Sequence, residues 1–184
     1  MFSYKVDKEI SIELLQLQHT EELFTLIDTN REHLSKWLLW VDKRQSPDDL
    51  EPVIPIWLQK YADNNGFDAG IRFNGKLVGM IGLHYIDWKN KSTSIGYFLA
   101  EDAQGHGIIT KSISALLDYL FDSLKIHRVE IQCAVGNAKS IAVPERLGFL
   151  KEGIKRDGQW LYNHYEDLVT YSMLNREWKE SHAR

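Results

Sequence analysis

Residues 10–16 (ISIELLQ) set apolar Ile10, Ile12 and Leu14 two apart, the period of a half-buried strand. Thr20 then reads as an N-cap, with Glu21 and Glu22 in a first helical turn and Leu23 and Ile27 on one face. His33 to Val41 is dense in aromatic and aliphatic side chains. Ser46-Pro47-Asp48-Asp49 predicts a helix start that Leu50, Ile54, Trp57, Leu58 and Tyr61 continue. Pro52 and Pro55 fall inside that pattern, so the helix must kink or begin late. Phe67 to Phe73, Asn74-Gly75 and Lys76 to Leu83 form a hairpin pattern with a type I′ turn. After a polar loop, Asp87 to Lys91, Ser92 to Leu99 is a third strand of that group. Ile113, Leu116, Leu117, Leu120 and Phe121 give residues 111–124 a helical stripe. Arg128 to Val135 reads as a strand, Ser140 to Leu147 as a short helix closed by Gly148, and Asp167 to Leu174 as the final strand. The order is that of a mixed α/β (α+β) sheet, with helices and strands interleaved in the second half.

Composition narrows the class. The 184 residues carry 22 Lys+Arg against 26 Asp+Glu, a net charge of −4, and 43% are hydrophobic. This length, without repeats or a flexible linker, suits a single domain over residues 1–184. Six Trp, eight Tyr and seven Phe supply a core, and the charge balance argues against a nucleic-acid binder working through a positive field. Cys133 stands alone, which excludes an intramolecular disulfide and a multi-Cys zinc site. No apolar run approaches the roughly 20 residues of a membrane span, and MFSYKVDKEI has no export-type apolar segment, so the cytoplasm is the expected compartment.

The chemically informative segment is Gln104-Gly105-His106-Gly107-Ile108-Ile109-Thr110, between a strand and a helix. Two glycines permit a tight turn and close approach of an anion to backbone amides. The following helix start adds unpaired N–H groups, a setting for phosphate or pyrophosphate. A ligand-free glycine connection is the plainer reading of a bare G-x-G. The mononucleotide P-loop is excluded because the Gly75-Lys76 pair precedes Leu77 in the hairpin. The dinucleotide motif fails because Thr110 stands at the third glycine position. No G-x-S-x-G elbow or H-E-x-x-H motif occurs, which disfavours a serine hydrolase and a zinc protease and leaves no metal expected.

Gln104 and Gly107 in this strand–loop–helix context resemble the [QR]-x-x-G-x-[GA] loop of the GNAT acyltransferase superfamily, with Ile109 standing where Gly or Ala is usual. Asn137-Ala138-Lys139-Ser140, followed by Glu145-Arg146-Leu147-Gly148-Phe149, resembles a second segment of that family. Asn30-Arg31, His33-Leu34, Trp37 to Val41, Ile95-Gly96-Tyr97, and Gly158 to Leu161 with Tyr165 and Asp167 resemble its ribosomal-protein N-terminal acetyltransferase (RimJ/RimL-type) branch. The resemblance spans roughly residues 8 to 176. It implies the GNAT fold: a mostly antiparallel mixed sheet with two splayed central parallel strands, flanked by helices.

It also implies acetyl-CoA as co-substrate, with backbone groups of Phe98 and Leu99 on the pantetheine arm. Gln104 and the amides of Gly105, His106, Gly107, Ile108, Ile109 and Thr110 would take the pyrophosphate; His106 touches phosphate or faces solvent. Asn137 is either a CoA contact or a turn former. The amine attacks the thioester directly, so Cys133 is expected to line the cleft rather than act as nucleophile. Pro144 occupies the position where many relatives carry a tyrosine acid. Ser140 is then the catalytic candidate for protonating the thiolate, its other reading being an N-cap of the 140–147 helix. Gln159 stands where the ribosomal branch often has Glu, leaving Glu130, Asp157, Glu166 and His164 as bases acting through water.

The expected acceptor is a protein N-terminus, that of a ribosomal protein. A small amine (polyamine, amino sugar or antibiotic) and a silent acyl-CoA-binding protein are the competing readings, the latter from Ile109, Pro144 and Gln159. Trp37 and Trp40 belong to a core, an acceptor site or a homodimer face.

Overall fold

A computed structural model describes residues 3–182. Its strands are β1 (Ser3–Lys5), β2 (Ile10–Leu14), β3 (Phe67–Phe73), β4 (Lys76–Asp87), β5 (Ser92–Leu99), β6 (Arg128–Ala134), β7 (Leu150–Leu161) and β8 (His164–Leu174). The helices are α1 (Thr20–Thr29), α2 (Arg31–Ser35), α3 (Val53–Ala62), α4 (Ile108–Asp118), α5 (Ala138–Arg146) and α6 (Asn175–His182). The eight strands form one sheet in the order β1-β2-β3-β4-β5-β6-β8-β7. Every neighbouring pair is antiparallel except β5 and β6. Helices α1, α3, α4, α5 and α6 pack on β4, β3, β2, β6 and β8. Among the described residues no helix is long and apolar enough to cross a membrane.

The patterned segments fold as their periodicity dictates. Ile10, Ile12 and Leu14 are buried while Ser11 and Glu13 are less so. Asn74 and Gly75 take φ of 49° and 84°, the positive values of the predicted turn, and Phe73 pairs with Lys76 across it. On α4 the buried positions Ile109, Ile113, Leu116 and Leu117 make one stripe.

Several boundaries differ for local reasons. Thr20 is not a cap: a 3-10 turn, Leu17–His19, precedes α1, and the Thr20 hydroxyl donates back to the Leu17 carbonyl at 2.6 Å. Ser46 to Asp49 starts only a 3-10 turn, closed by a capping box, and α3 begins after Pro52. Pro55 then sits in the first turn of α3, where its missing N–H would have no partner anyway. The aromatic run folds as α2 and a 3-10 turn, Leu39–Lys43, tied together by Arg31, which donates to the Val41 and Arg44 carbonyls at 2.8 and 2.6 Å. Helix α4 starts at Ile108 and passes into a π turn, Tyr119–Ser123. Helix α5 is capped by Asn137, whose Oδ1 accepts the Ser140 amide at 3.1 Å, so Ser140 is not its N-cap.

Two strands carry no sequence signal, and they are the two edges of the sheet. Strand β1 has three residues, and β7 is exposed along nearly all its length. An edge strand wet on both faces has nothing to alternate.

The central pair opens. Strands β5 and β6 pair from Ser92↔Arg128 to Ile95↔Ile131 and then part. Strand β5 continues against β4 as far as Leu99↔Gly79, and β6 against β8 as far as Ala134↔Leu168. The result is a V-shaped cleft between Gly96–Leu99 and Gln132–Ala134.

Candidate active site

The V supplies an unpaired backbone edge. From Gly96 to Leu99 the side of β5 that would face β6 has lost its partner, so the N–H and C=O groups of alternate residues, Leu99 among them, look into the cleft, whereas the Phe98 carbonyl is turned to Gly79 on β4. An extended ligand bearing amides can satisfy them as an added strand would. The Phe98 ring is held against Trp40, centroids 5.6 Å apart.

At the mouth of the V the backbone dominates. Gly105 and Gly107 take φ of 82° and 71°, and no atom lies within 4 Å of where either β-carbon would stand. Gly107 immediately precedes α4, whose first amides are unpaired. Ile108 and Ile109 are both buried in the core, at 1% and 8% exposure, so the Ile109 side chain leaves the loop's surface clear. His106 is exposed and stacks on Phe73, centroids 5.7 Å apart. The Gln104 Oε1 accepts from Lys139 Nζ at 2.6 Å, and its Nε2 lies 3.0 Å from His33 Nε2. Arg146 donates to the Thr110 hydroxyl at 3.1 Å. Lys139 and Arg146, seven residues apart on one face of α5, thus bring two cations to the loop of an acidic protein. That spacing was visible in the sequence, but its destination was not.

Near the apex three polar side chains meet. The Tyr97 phenol on β5 donates to the Ser140 carbonyl at 2.9 Å. The Ser140 hydroxyl lies 3.3 Å from that phenol and 3.2 Å from Cys133 Sγ. Pro144 explains the first contact. In a regular helix the amide of residue 144 would donate to the carbonyl of residue 140; proline has none, and Tyr97 takes the vacated acceptor. Burial is the main cause that pushes the Tyr97 phenol far above its usual range, and it also raises the Cys133 thiol, against the neighbouring hydroxyls. Both stay protonated at neutral pH. Since the thiolate is the nucleophilic form, Cys133, 4% exposed on β6, is a wall of the cleft rather than an attacking group.

On the other side, the Trp37–Trp40 segment spans from β5 to the β7–β8 hairpin. Gln159 Nε2 donates to the Trp37 carbonyl at 3.2 Å, and the Tyr162 hydroxyl to the Ser35 carbonyl at 3.0 Å. A β-carbon on Gly136 would touch the Trp37 ring at 3.4 Å. Of the water-relay candidates, Glu130 is paired with Arg128 at 2.7 Å and Glu166 with His164 at 2.9 Å, while the Asp157 amide donates to Asp167 Oδ1 at 2.8 Å. Among the described residues no three His, Cys, Asp or Glu side chains group as a metal site.

Comparisons with known proteins agree with this geometry. The acetyltransferase (GNAT) domain family matches residues 10–150. The putative ribosomal N-acetyltransferase YdaF of Bacillus subtilis (strain 168) is 46% identical over 180 residues, 97% of this chain and 98% of that protein. The solved ribosomal-protein alpha-N-acetyltransferase RimL, in complex with coenzyme A, superposes with a TM-score of 0.90 at 25% identity, covering 94% of this chain and 97% of RimL. The microcin self-immunity acetyltransferase MccE, solved with acetyl-CoA and AMP, also gives 0.90, at 31% identity over 92% of this chain and 94% of that one. The family match and the splayed β5–β6 pair lead to one conclusion: this chain belongs to the GNAT acetyltransferase family and uses acetyl-CoA as its acetyl donor.

Proposed function

We propose that the acceptor is the α-amine of a protein N-terminus, with a ribosomal protein as the natural substrate and the cytoplasm as the place of reaction. The observation that carries this reading is the chemistry of the acceptor side. Its contacts are made chiefly by Trp37, Trp40, Phe98, Gly136 and Gln159, which are aromatic, backbone or amide groups. A neutral peptide whose only charge at the reacting end is its own amine suits such walls; a polycation would call for acids. The acidic groove of the molecule, with Glu21, Glu22, Glu101 and Asp102, lies instead between α1 and the ends of β4 and β5. The names of YdaF and RimL point the same way.

In this reading residues 1–184 act as one catalytic domain. Gln104 and the amides of Gly105 to Thr110 hold the pyrophosphate, with Lys139 and Arg146 close by. The open edge at Leu99, beside the Phe98 ring, aligns the pantetheine arm, so the thioester comes to the apex beside Ser140. Asn137 caps α5 and thereby presents Ser140, whose hydroxyl gives its proton to the departing sulfur. An α-amine, titrating near ~8 rather than the ~10.4 of a lysine, is easier to deprotonate by roughly 3 kcal/mol.

Thiol release from acetyl-CoA tests the reading, using peptides that begin with Ser or Ala, the same peptides blocked at the α-amine but carrying an internal Lys, and spermidine. Turnover is expected with the free α-amine alone, together with loss of a terminal acetyl from one ribosomal protein in cells lacking the enzyme. Acetylation of the blocked peptides or of spermidine in preference overturns it.

A further inference from the structure

The β4–β5 ladder runs in step from Gly79↔Leu99 to Leu83↔Ile95 and resumes at Ile86↔Thr93. Two residues of β4, His84 and Tyr85, therefore stand opposite the single Ser94, a bulge of the kind that re-aims a side chain. The bulge is pinned. The buried Thr93 donates its hydroxyl to the Tyr85 carbonyl at 2.5 Å, and the Ile86 amide reaches Asn65 Oδ1 at 3.4 Å.

Its consequence is where the His84 ring goes. A β-carbon on Gly96 would lie 2.7 Å from His84 Nε2 and 2.9 Å from Cε1, so the imidazole covers a position of β5 that has no side chain. Gly96 is the first residue of β5 beyond the last pair with β6, which puts the ring over the apex of the V. Tyr97, next along the strand, sends its phenol to Ser140. Neighbours on a strand point to opposite faces, so His84 and Ser140 address the apex from opposite sides of β5. The His84 side chain is exposed, and neither ring nitrogen has a hydrogen-bond partner among the described residues. Lys60 from α3 and Asp68 from β3, themselves 2.8 Å apart, are the charges that face it; β5 contributes none. Packing over Gly96 strips water from one face of the ring; this desolvation, reinforced by Lys60 and opposed by Asp68, holds the imidazole below its usual 6.5, so it is neutral at pH 7.

We propose that His84 is the catalytic base, its free imidazole nitrogen taking a proton from the acceptor amine at the apex of the V. The ammonium form of the acceptor gives one proton to His84. The nitrogen lone pair then bonds to the acetyl carbonyl carbon as the carbon–sulfur bond breaks. The sulfur keeps that electron pair and takes the Ser140 proton, while the Ser140 oxygen is reprotonated by the second proton leaving nitrogen. The products are the amide, free coenzyme A thiol and a proton on His84 that passes to water. This assignment rests on direct transfer at the apex, as above, and holds for whichever amine is the acceptor.

Ranking the wild-type protein on the peptides and spermidine decides the acceptor by itself; the fastest amine is then used with His84→Gln and His84→Ala. Expected are a Tm and an acetyl-CoA affinity like those of wild type, and a kcat/KM for the amine lower by roughly 10²–10³-fold. The limb of the pH profile below pH 6.5 disappears in the variants, while the limb of the amine itself, near ~8, remains. Added imidazole restores part of the rate of His84→Ala. The proposal is overturned if His84→Gln keeps its rate within about threefold, well short of a catalytic base's usual share. It is equally overturned by a loss with an unchanged pH profile and no imidazole rescue, or by a limb that vanishes in Glu166→Gln instead.

Discussion

The mouth and the apex of the same cleft are built on opposite principles. At the mouth, between Gln104 and Thr110, the proposed recognition rests on backbone: two left-handed glycines and a helix start, with the large side chains Ile108 and Ile109 turned into the core. At the apex the backbone only provides an opening, and side chains from β4, β5, β6 and α5 meet there, with the proposed chemistry assigned to His84 and Ser140. The difference teaches why one end tolerates an unusual residue and the other does not. The Ile109 side chain is turned into the core, so it can stand for a small residue without covering the loop amides to which the pyrophosphate is proposed to bind. Pro144, by contrast, changes which group holds Ser140.

Filling the mouth should have the largest effect. Gly107→Trp puts a side chain at φ 71° and into open space, and acetyl-CoA affinity should fall by roughly 100-fold or more, about 2.8 kcal/mol by calorimetry. Gly75→Trp, at φ 84° in the hairpin turn, carries similar backbone strain and should leave that affinity unchanged. Retained binding in the first variant would mean that the loop is not the anion site.

The apex should respond in rate instead. Ser140→Ala is expected to lower kcat by roughly 100-fold with acetyl-CoA affinity intact, as loss of a general acid does. Equal losses in both would make Ser140 a binding residue. Tyr97→Phe strips the Ser140 carbonyl of its donor, and chemical denaturation should show a loss of about 1–3 kcal/mol. Pro144→Ala restores an amide that can reach that carbonyl, so the double variant should recover part of the loss; strict additivity would refute the exchange of donors. Cys133→Ala should be mildest, keeping turnover within roughly threefold, because the protonated thiol plays no part in transfer.

The interior of the fold was legible wherever one face of an element is dry. Strand β2, the Asn74-Gly75 hairpin and the stripe of α4 all followed their periods. Strands β1 and β7 were not legible, since both lie at sheet edges and bury little. Caps were read less well. Thr20 and Ser140 have the right chemistry, but the preceding turn and Asn137 respectively took the capping role. Of the site, the Gln104–Thr110 loop was readable because positive φ and a helix start both leave marks in sequence. At the apex Ser140 and Cys133 were named through the family resemblance, but their meeting with Tyr97 was not legible, because the three residues lie on three elements with no shared spacing.

The sequence by itself determined the mixed sheet, the glycine loop ahead of α4 and, through several separated motifs, the family. Each of these is written in local terms, as periodicity, turn chemistry or a contiguous motif. The tertiary structure alone decided three things: that β5 and β6 part after Ile95, that Tyr97 replaces the amide Pro144 lacks, and that a bulge lays His84 over Gly96. All three are contacts between residues far apart in the chain, set by strand register and helix placement.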